Sequence, residues 1–265
     1  MARLKGPKLQ MELLRGKKAL ITGATRGIGR AVSISFAENG ADLCLVSRKE
    51  EEVQAFAREI SSNLTTKIFG LRADVSDQID GSKIGAKAID LLGGIDVLVC
   101  VAGYRFESKI WNSSLQDLSE DDFVNVFNTD VLGSLRLVKG VLPQMVRQKS
   151  GVIILFSSTP AISGFNKGAP YTLAKAANRS LAKEIAYEYG EFNVRAYAIA
   201  PGNVKTDATF DNLSNEDQIA LAQESPMKRW GDPKEIAKVC VVLASDNMSY
   251  VTGQTIVADG GTVML

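Results

Sequence analysis

The stretch Tyr171-Thr-Leu-Ala-Lys175 combines residue types and a spacing that can do acid–base chemistry. On a helix, side chains four residues apart share one face, one turn apart. An ammonium held there favours a phenolate, drawing a tyrosine down from its usual pKa of about 10. A tyrosine tuned in this way passes a proton to or from an alcohol or ketone oxygen. With six tyrosines and many lysines in the chain, the spacing also arises by chance. The rest of the sequence must therefore supply a cofactor, an orienting group and a scaffold.

Histidine is absent from the 265 residues, which removes Ser-His-Asp hydrolysis, Cys-His proteolysis and histidine-ligated metal sites. No metal site is expected. Acid–base work falls to Tyr, Lys, Asp, Glu or Cys. Cys44, Cys100 and Cys240 are isolated, odd in number and set among Val and Leu, so they read as small buried hydrophobes in a reduced compartment. With 31 basic against 30 acidic residues, the net charge of +1 argues against a nucleic-acid or membrane footprint. No apolar run approaches the roughly 20 residues of a membrane span. The basic start, residues 1–13, lacks an apolar segment and reads as a solvated extension, with a cytoplasmic location expected.

The scaffold shows in alternating patterns. Apolar runs at 18–22, 42–47, 67–72, 95–100, 152–156, 194–200 and 254–258 read as buried parallel strands. Between them, helical periodicity covers about 27–39, 49–62, 76–92, 119–148 and 170–190, with a last helix starting at Asp232-Pro233. Asp232 suits an N-cap and Pro233 the first helical position. The alternation demands right-handed crossovers and a parallel sheet covered on both faces, in one α/β domain over residues 14–265. Residues 203–232 are polar and less regular, and about 203–230 reads as a substrate lid.

Thr22-Gly23-Ala-Thr25-Arg26-Gly27-Ile28-Gly29 lies between the first strand and the first helix. Glycines there let backbone approach a pyrophosphate, and the helix N-terminus offers free N–H groups to that charge. The spacing is Gly-x-x-x-Gly-x-Gly. Together with Asp74-Val75, Ala102-Gly103, Asn128, Ser158, Tyr171-x-x-x-Lys175, Pro201-Gly202, Thr206 and Asp259-Gly260-Gly261, it resembles the short-chain dehydrogenase/reductases. The likeness is to their roughly 250-residue oxidoreductase branch, and it runs from about Leu14 to Leu265. It implies a Rossmann-type doubly wound sheet of about seven strands in the order 3-2-1-4-5-6-7. It also implies a homotetramer or homodimer assembled through the helices at 119–148 and 170–190 and the last strand. One departure stands out: Cys100-Val101 replaces the family's paired asparagines before Ala102-Gly103, and a locally altered sheet is expected there.

Where an NAD enzyme carries an acid at the end of the second strand, this chain reads Val46-Ser47-Arg48. A guanidinium binds a 2′-phosphate that a carboxylate would repel, and Arg26 lies within reach of the same phosphate. NADP is therefore expected over NAD. The resemblance implies that Asp74 contacts the adenine and Val75 adds a backbone contact. It also implies that Gly23, Thr25, Ile28, Ser47, Ala102 and Gly103 line the cofactor. Pro201, Gly202, Val204 and Thr206 would grip its carboxamide. Tyr171 becomes general acid in reduction and general base in oxidation, with Lys175 tuning it and binding the nicotinamide ribose. Ser158, thirteen residues before Tyr171, polarises the carbonyl, with the adjacent Ser157 as runner-up. The resemblance further implies that Asn128 would hold a water linking Lys175 to solvent as a proton relay. Taken singly, Ser158 also suits a strand-end cap and Asn128 a helix residue bonded to its own backbone.

The C-terminal motifs resemble those of 3-oxoacyl-thioester reductases and of sugar and polyol dehydrogenases. Arg105, Lys109, Lys205 and Lys228 are candidate receivers of an acidic or phosphopantetheine-bearing substrate. Tyr104, Phe106 and Trp111 are candidate shapers of the pocket entrance, and Met227 and Trp230 read as core. Two rivals stand. An enoyl reductase of the same superfamily spaces its Tyr and Lys more widely, and a silent cofactor-binding protein has no use for four retained catalytic positions.

Overall fold

Seven strands lie side by side in register: β1 (Lys18–Thr22), β2 (Asp42–Ser47), β3 (Ile68–Arg72), β4 (Val97–Cys100), β5 (Gly151–Phe156), β6 (Val194–Pro201) and β7 (Gln254–Ala258). Every neighbouring pair is parallel and the order is 3-2-1-4-5-6-7, as the resemblance implied. The computed structural model describes residues 12–62 and 64–264. Of the extension expected over 1–13, all but Glu12 and Leu13 lies outside the described residues.

Parallel strands need crossovers, and these put helices on both faces. They are α1 (Gly27–Glu38), α2 (Glu50–Ser61), α3 (Gln78–Leu92), α4 (Ser108–Trp111), α5 (Glu120–Phe127), α6 (Gly133–Gln148), α7 (Pro160–Ser163), α8 (Ala169–Tyr189), α9 (Asn215–Glu224) and α10 (Pro233–Ala244). Alternate strand residues serve opposite cores. Ile21, Leu45, Val99 and Ile154 meet Phe36 of α1, Phe56 of α2 and Ile236 of α10. Leu20, Val46, Leu98 and Ile153 meet Ile84 of α3, Leu137 of α6 and Ile185 of α8. Each such side chain, fully buried, stabilises the fold by roughly 1.5–3 kcal/mol. α10 starts as its sequence predicts, with Asp232 and Glu235 forming a reciprocal capping box.

The helix expected over 119–148 is interrupted. α5 and α6 are joined by one π-turn, Asn128–Leu132, which changes the register of the residues after it. In the polar stretch 203–232, α9 buries none of its residues. Trp230 is buried there, its indole N–H donating to the Gln218 carbonyl, whereas Met227, expected in the core, is 58% exposed.

All three cysteines are buried and free. Burial pushes the Cys44 and Cys100 thiols up to about 12, so both stay protonated and unreactive at neutral pH. The folded protein is expected to react with no equivalent of a thiol-specific disulfide reagent, and with three once denatured. Spectrophotometric thiol counting checks this.

Candidate active site

The sheet reverses its order of addition between β1 and β4, and the crevice at such a switch point, beyond the strand C-termini, is where open α/β sheets bind ligands. The glycine loop leads from β1 into this crevice. A Cβ on Gly29 would lie 2.0 Å from the Gly23 carbonyl oxygen, so the loop folds onto itself more tightly than any side chain permits. A Cβ on Gly23, at φ +63, would meet the Ala102 backbone at 2.9 Å. Arg26, the N-cap of α1, makes no side-chain cap, and the first turn carries no acid. Open N–H groups and an uncompensated positive helix end thus face a glycine cradle, an arrangement that fits a dinucleotide pyrophosphate. The Ala24 N–H to the Val46 carbonyl (3.2 Å) and Thr25 Oγ1 to Ser47 Oγ (3.4 Å) bind this loop to the end of β2. Thr206 stands over the loop, 3.3 Å from where a Gly27 Cβ would be, with its hydroxyl on that of Thr209.

Arg48 is exposed just beyond β2 and has no ion-pair partner among the described residues. Arg26 is turned to Glu52 at 2.8 Å. That pair is mostly solvent-exposed, and such pairs contribute only about 0–1 kcal/mol, so little holds Arg26 away from an incoming phosphate. Asp74 directs one carboxylate oxygen to the Ser76 N–H (2.9 Å) and hydroxyl (2.7 Å), and Val75 beside it is buried. Cys100, in place of the family's amide, is 3% exposed at the end of β4, and the β1–β4 register runs through it to Thr22 undisturbed. The altered sheet expected there does not occur.

Tyr171 and Lys175 sit in the first two turns of α8, with the Lys175 ammonium 5.4 Å from the Tyr171 ring centre. The Tyr171 hydroxyl makes no hydrogen bond to another described residue and is free for a ligand. At the end of β5 the two serines separate in role. Ser157 is buried and donates its hydroxyl to the Lys175 carbonyl at 2.9 Å, which fixes α8 onto the strand end. Ser158 spends its hydroxyl on no described residue.

Asn128 requires a correction. It is not brought to Lys175: its amide donates to the Ser76 carbonyl (2.9 Å) and its oxygen accepts from Arg136 (2.9 Å). The place beside the lysine belongs to Asp130, whose carboxylate lies 2.8 Å from the ammonium, with side chains only 1% and 8% exposed. The π-turn is the physical reason. It frees the Asp130 carbonyl to accept from Ser134 (2.9 Å) and Asn178 (3.2 Å) while its side chain faces α8. The signal in the sequence was an acid set among Phe127, Val131 and Leu132. Burial alone would pull the Lys175 pKa down, but the Asp130 carboxylate and Tyr171 outweigh it and hold the ammonium above its ordinary range.

Trp111 covers the centre, with its ring 4.0 Å from that of Tyr171, and Phe106 lies 5.4 Å beyond. The four basic residues considered for an acidic substrate are engaged elsewhere. Arg105 pairs with Glu107 (2.6 Å), Lys109 with Asp122 (3.5 Å) and Lys228 with the Gln223 carbonyl (2.8 Å), while Lys205 lies over Phe210. Among the described residues, no group of acids and cysteines is arranged to hold a metal, and no helix is long and apolar enough to cross a membrane.

A nucleotide cradle beside a Tyr–Lys pair at the strand ends is the site of a nicotinamide-dependent oxidoreductase. A family model described as enoyl-(acyl carrier protein) reductase matches residues 23–263. The chain belongs to that family within the short-chain dehydrogenase/reductases and is an NAD(P)-dependent enzyme of this class. Among its relatives, glucose 1-dehydrogenase of Gluconobacter oxydans is 33% identical, over 94% of this chain and 92% of its own. The 3-oxoacyl-[acyl-carrier-protein] reductase FabG of Thermotoga maritima is 34% identical, over 95% of this chain and 99% of its own. The crystal structure of a 3-oxoacyl-[acyl-carrier protein] reductase from Brucella melitensis superposes with a TM-score of 0.90 at 28% identity, covering 100% of this chain and 98% of the other.

Proposed function

We propose that this enzyme reduces the ketone of a 3-oxoacyl thioester, reversibly, with NADPH favoured over NADH. The observation that carries the reading is the buried, ion-paired Lys175 one turn from a Tyr171 hydroxyl that no other described residue occupies. When bound, the nicotinamide supplies the hydride in reduction and accepts it in oxidation. The residues do the rest. Ser158 donates a hydrogen bond to the substrate oxygen and polarises it. Tyr171 gives that oxygen its proton as hydride arrives, and takes it back in the reverse direction. The Lys175 ammonium faces the Tyr171 ring at 5.4 Å with its charge offset by Asp130. Phe106 and Trp111 form an apolar wall beside Tyr171, which suits an acyl chain better than the hydroxyls of a sugar. Arg105 and Lys109 hold only exposed ion pairs, worth about 0–1 kcal/mol, so an acidic substrate can still draw them. The four-residue Tyr–Lys interval weighs against enoyl reduction.

Exposed Val124, Leu132 and Leu173 on α5, the π-turn and α8 support assembly through those helices. The function is tested by following NADPH consumption with 3-oxoacyl thioesters, simple ketones and aldoses. Thioesters are expected to give the highest kcat/KM. An aldose preference would favour the sugar dehydrogenase reading, and cofactor binding without turnover of anything would favour a silent binding protein. For the cofactor, Arg48→Glu is expected to cut kcat/KM for NADPH by about tenfold or more, since it removes a charge-assisted contact and adds repulsion. NADH kinetics change little, and the ratio of the two kcat/KM values reads the effect.

A further inference from the structure

We propose that Asp130 is a positioning residue that sets the pH at which Tyr171 works, because its carboxylate, held against the Lys175 ammonium, offsets the charge that would draw the proton from the phenol. The inference rests on the acid–base role given to Tyr171 above. The geometry is closed on every side. One Asp130 carboxylate oxygen takes the ammonium at 2.8 Å, and the other takes the Tyr104 N–H at 2.5 Å. Both lie 3.3–3.4 Å from the point a Gly103 Cβ would occupy. The carboxylate thus ties the loop after β4 to the π-turn and to α8.

Both side chains are buried, 1% and 8% exposed, so no solvent separates the carboxylate from the ammonium. The groups that face Lys175 are few. Tyr171 comes from its own helix, Asp130 from the π-turn and Cys100 from β4, whose thiol burial keeps neutral. Tyr104, in the adjoining loop, turns its hydroxyl to Glu107 at 3.1 Å. Asp130 is therefore the acid in contact with the ammonium. A lone ammonium in this position would favour the phenolate strongly; an ammonium paired at contact distance presents close to zero net charge to Tyr171.

Asp130→Asn keeps the shape and an acceptor for the Tyr104 N–H while removing the charge. In the oxidative direction the phenolate is the active form, so activity rises through an acid limb. That limb is expected to move to lower pH by about one unit or more in Asp130→Asn. Asp130→Glu, which retains the charge, is expected to stay nearer wild type. The same shift is expected without turnover or cofactor, in the part of the tyrosinate ultraviolet absorbance that Tyr171→Phe removes, titrated in the wild-type and Asp130→Asn backgrounds. If this titration coincides in the two backgrounds, or moves to higher pH in Asp130→Asn, the proposal is overturned, whatever the protein reduces. If the titration shifts but no carbonyl is turned over, the proposal stands and the reductase reading fails. Should Asp130→Asn not fold, Asp130→Ser, which also drops the charge, carries the same two readouts.

Discussion

Tyr171→Phe is expected to lower carbonyl reduction by about three orders of magnitude while leaving NADPH affinity nearly unchanged. A positioned proton donor contributes roughly 10²–10⁴-fold to such a step, and no second group is placed to replace this one. Ser158 holds its proton too tightly to serve, and Lys175 is spent on Asp130. The substitution removes one oxygen. The ring keeps its contact with Trp111 at 4.0 Å, and the Lys175–Asp130 pair never involved the hydroxyl. Melting temperature and cofactor titration therefore serve as controls. A variant that binds NADPH and still turns over at near wild-type rates would move the proton donor elsewhere.

Gly29→Ala is the second large effect, and it acts on binding. The added methyl would sit 2.0 Å from the Gly23 carbonyl oxygen, a backbone atom with no rotamer to change. Ordinary overpacking costs about 1–3 kcal/mol, and this contact is far shorter than a repacked core contact. Either the loop opens or α1 shifts against α10, and both spoil the cradle. NADPH affinity is expected to fall by about ten- to a hundredfold, equivalent to about 1.4–2.8 kcal/mol, with a lower melting temperature. Gly190→Ala is the control, since φ there is −59° and nothing lies within 4 Å of the new methyl. Calorimetric titration of both variants distinguishes loss of the cradle from a general effect of the substitution.

The parts of this enzyme that depend on local pattern were readable from its residues. Buried parallel strands appear as short apolar runs because both faces are covered, and the β1 sequence Lys18-Ala-Leu-Ile-Thr22 shows it. The Tyr171–Lys175 pair was readable because helix periodicity puts the two on one face. The preference for Ser158 over Ser157 came from its thirteen-residue interval to Tyr171. The ion pair between Asp130 and Lys175 was not readable. Two residues along a helix turn a side chain by about 200°, so the choice between Asn128 and Asp130 depends on rotation about the helix axis. A π-turn alters that rotation, and no residue type marks it. The partner of Arg26 was not readable either: the sequence shows its charge, but Glu52 meets it only when α2 folds back beside the loop.

The entrance shows the same divide. Aromatic residues between Gly103 and Asn128 were visible as candidates, whereas the packing of Trp111 on Tyr171 comes from the way α4 sits over α8. The buried cluster of Ile110, Val126 and Ala174 holds these helices together. Substrate shape is therefore set by tertiary packing around a centre that the sequence itself announces.

The central claim is that Tyr171 and Lys175 serve a hydride transfer to a carbonyl carbon. The most direct measurement is reduction of a 3-oxoacyl thioester with NADPH deuterated at its transferable position, followed by mass spectrometry of the product. One deuterium on the carbinol carbon, formed by wild type and absent with Tyr171→Phe, is the predicted result. Thioester consumed without label, or labelled equally by both proteins, would contradict it.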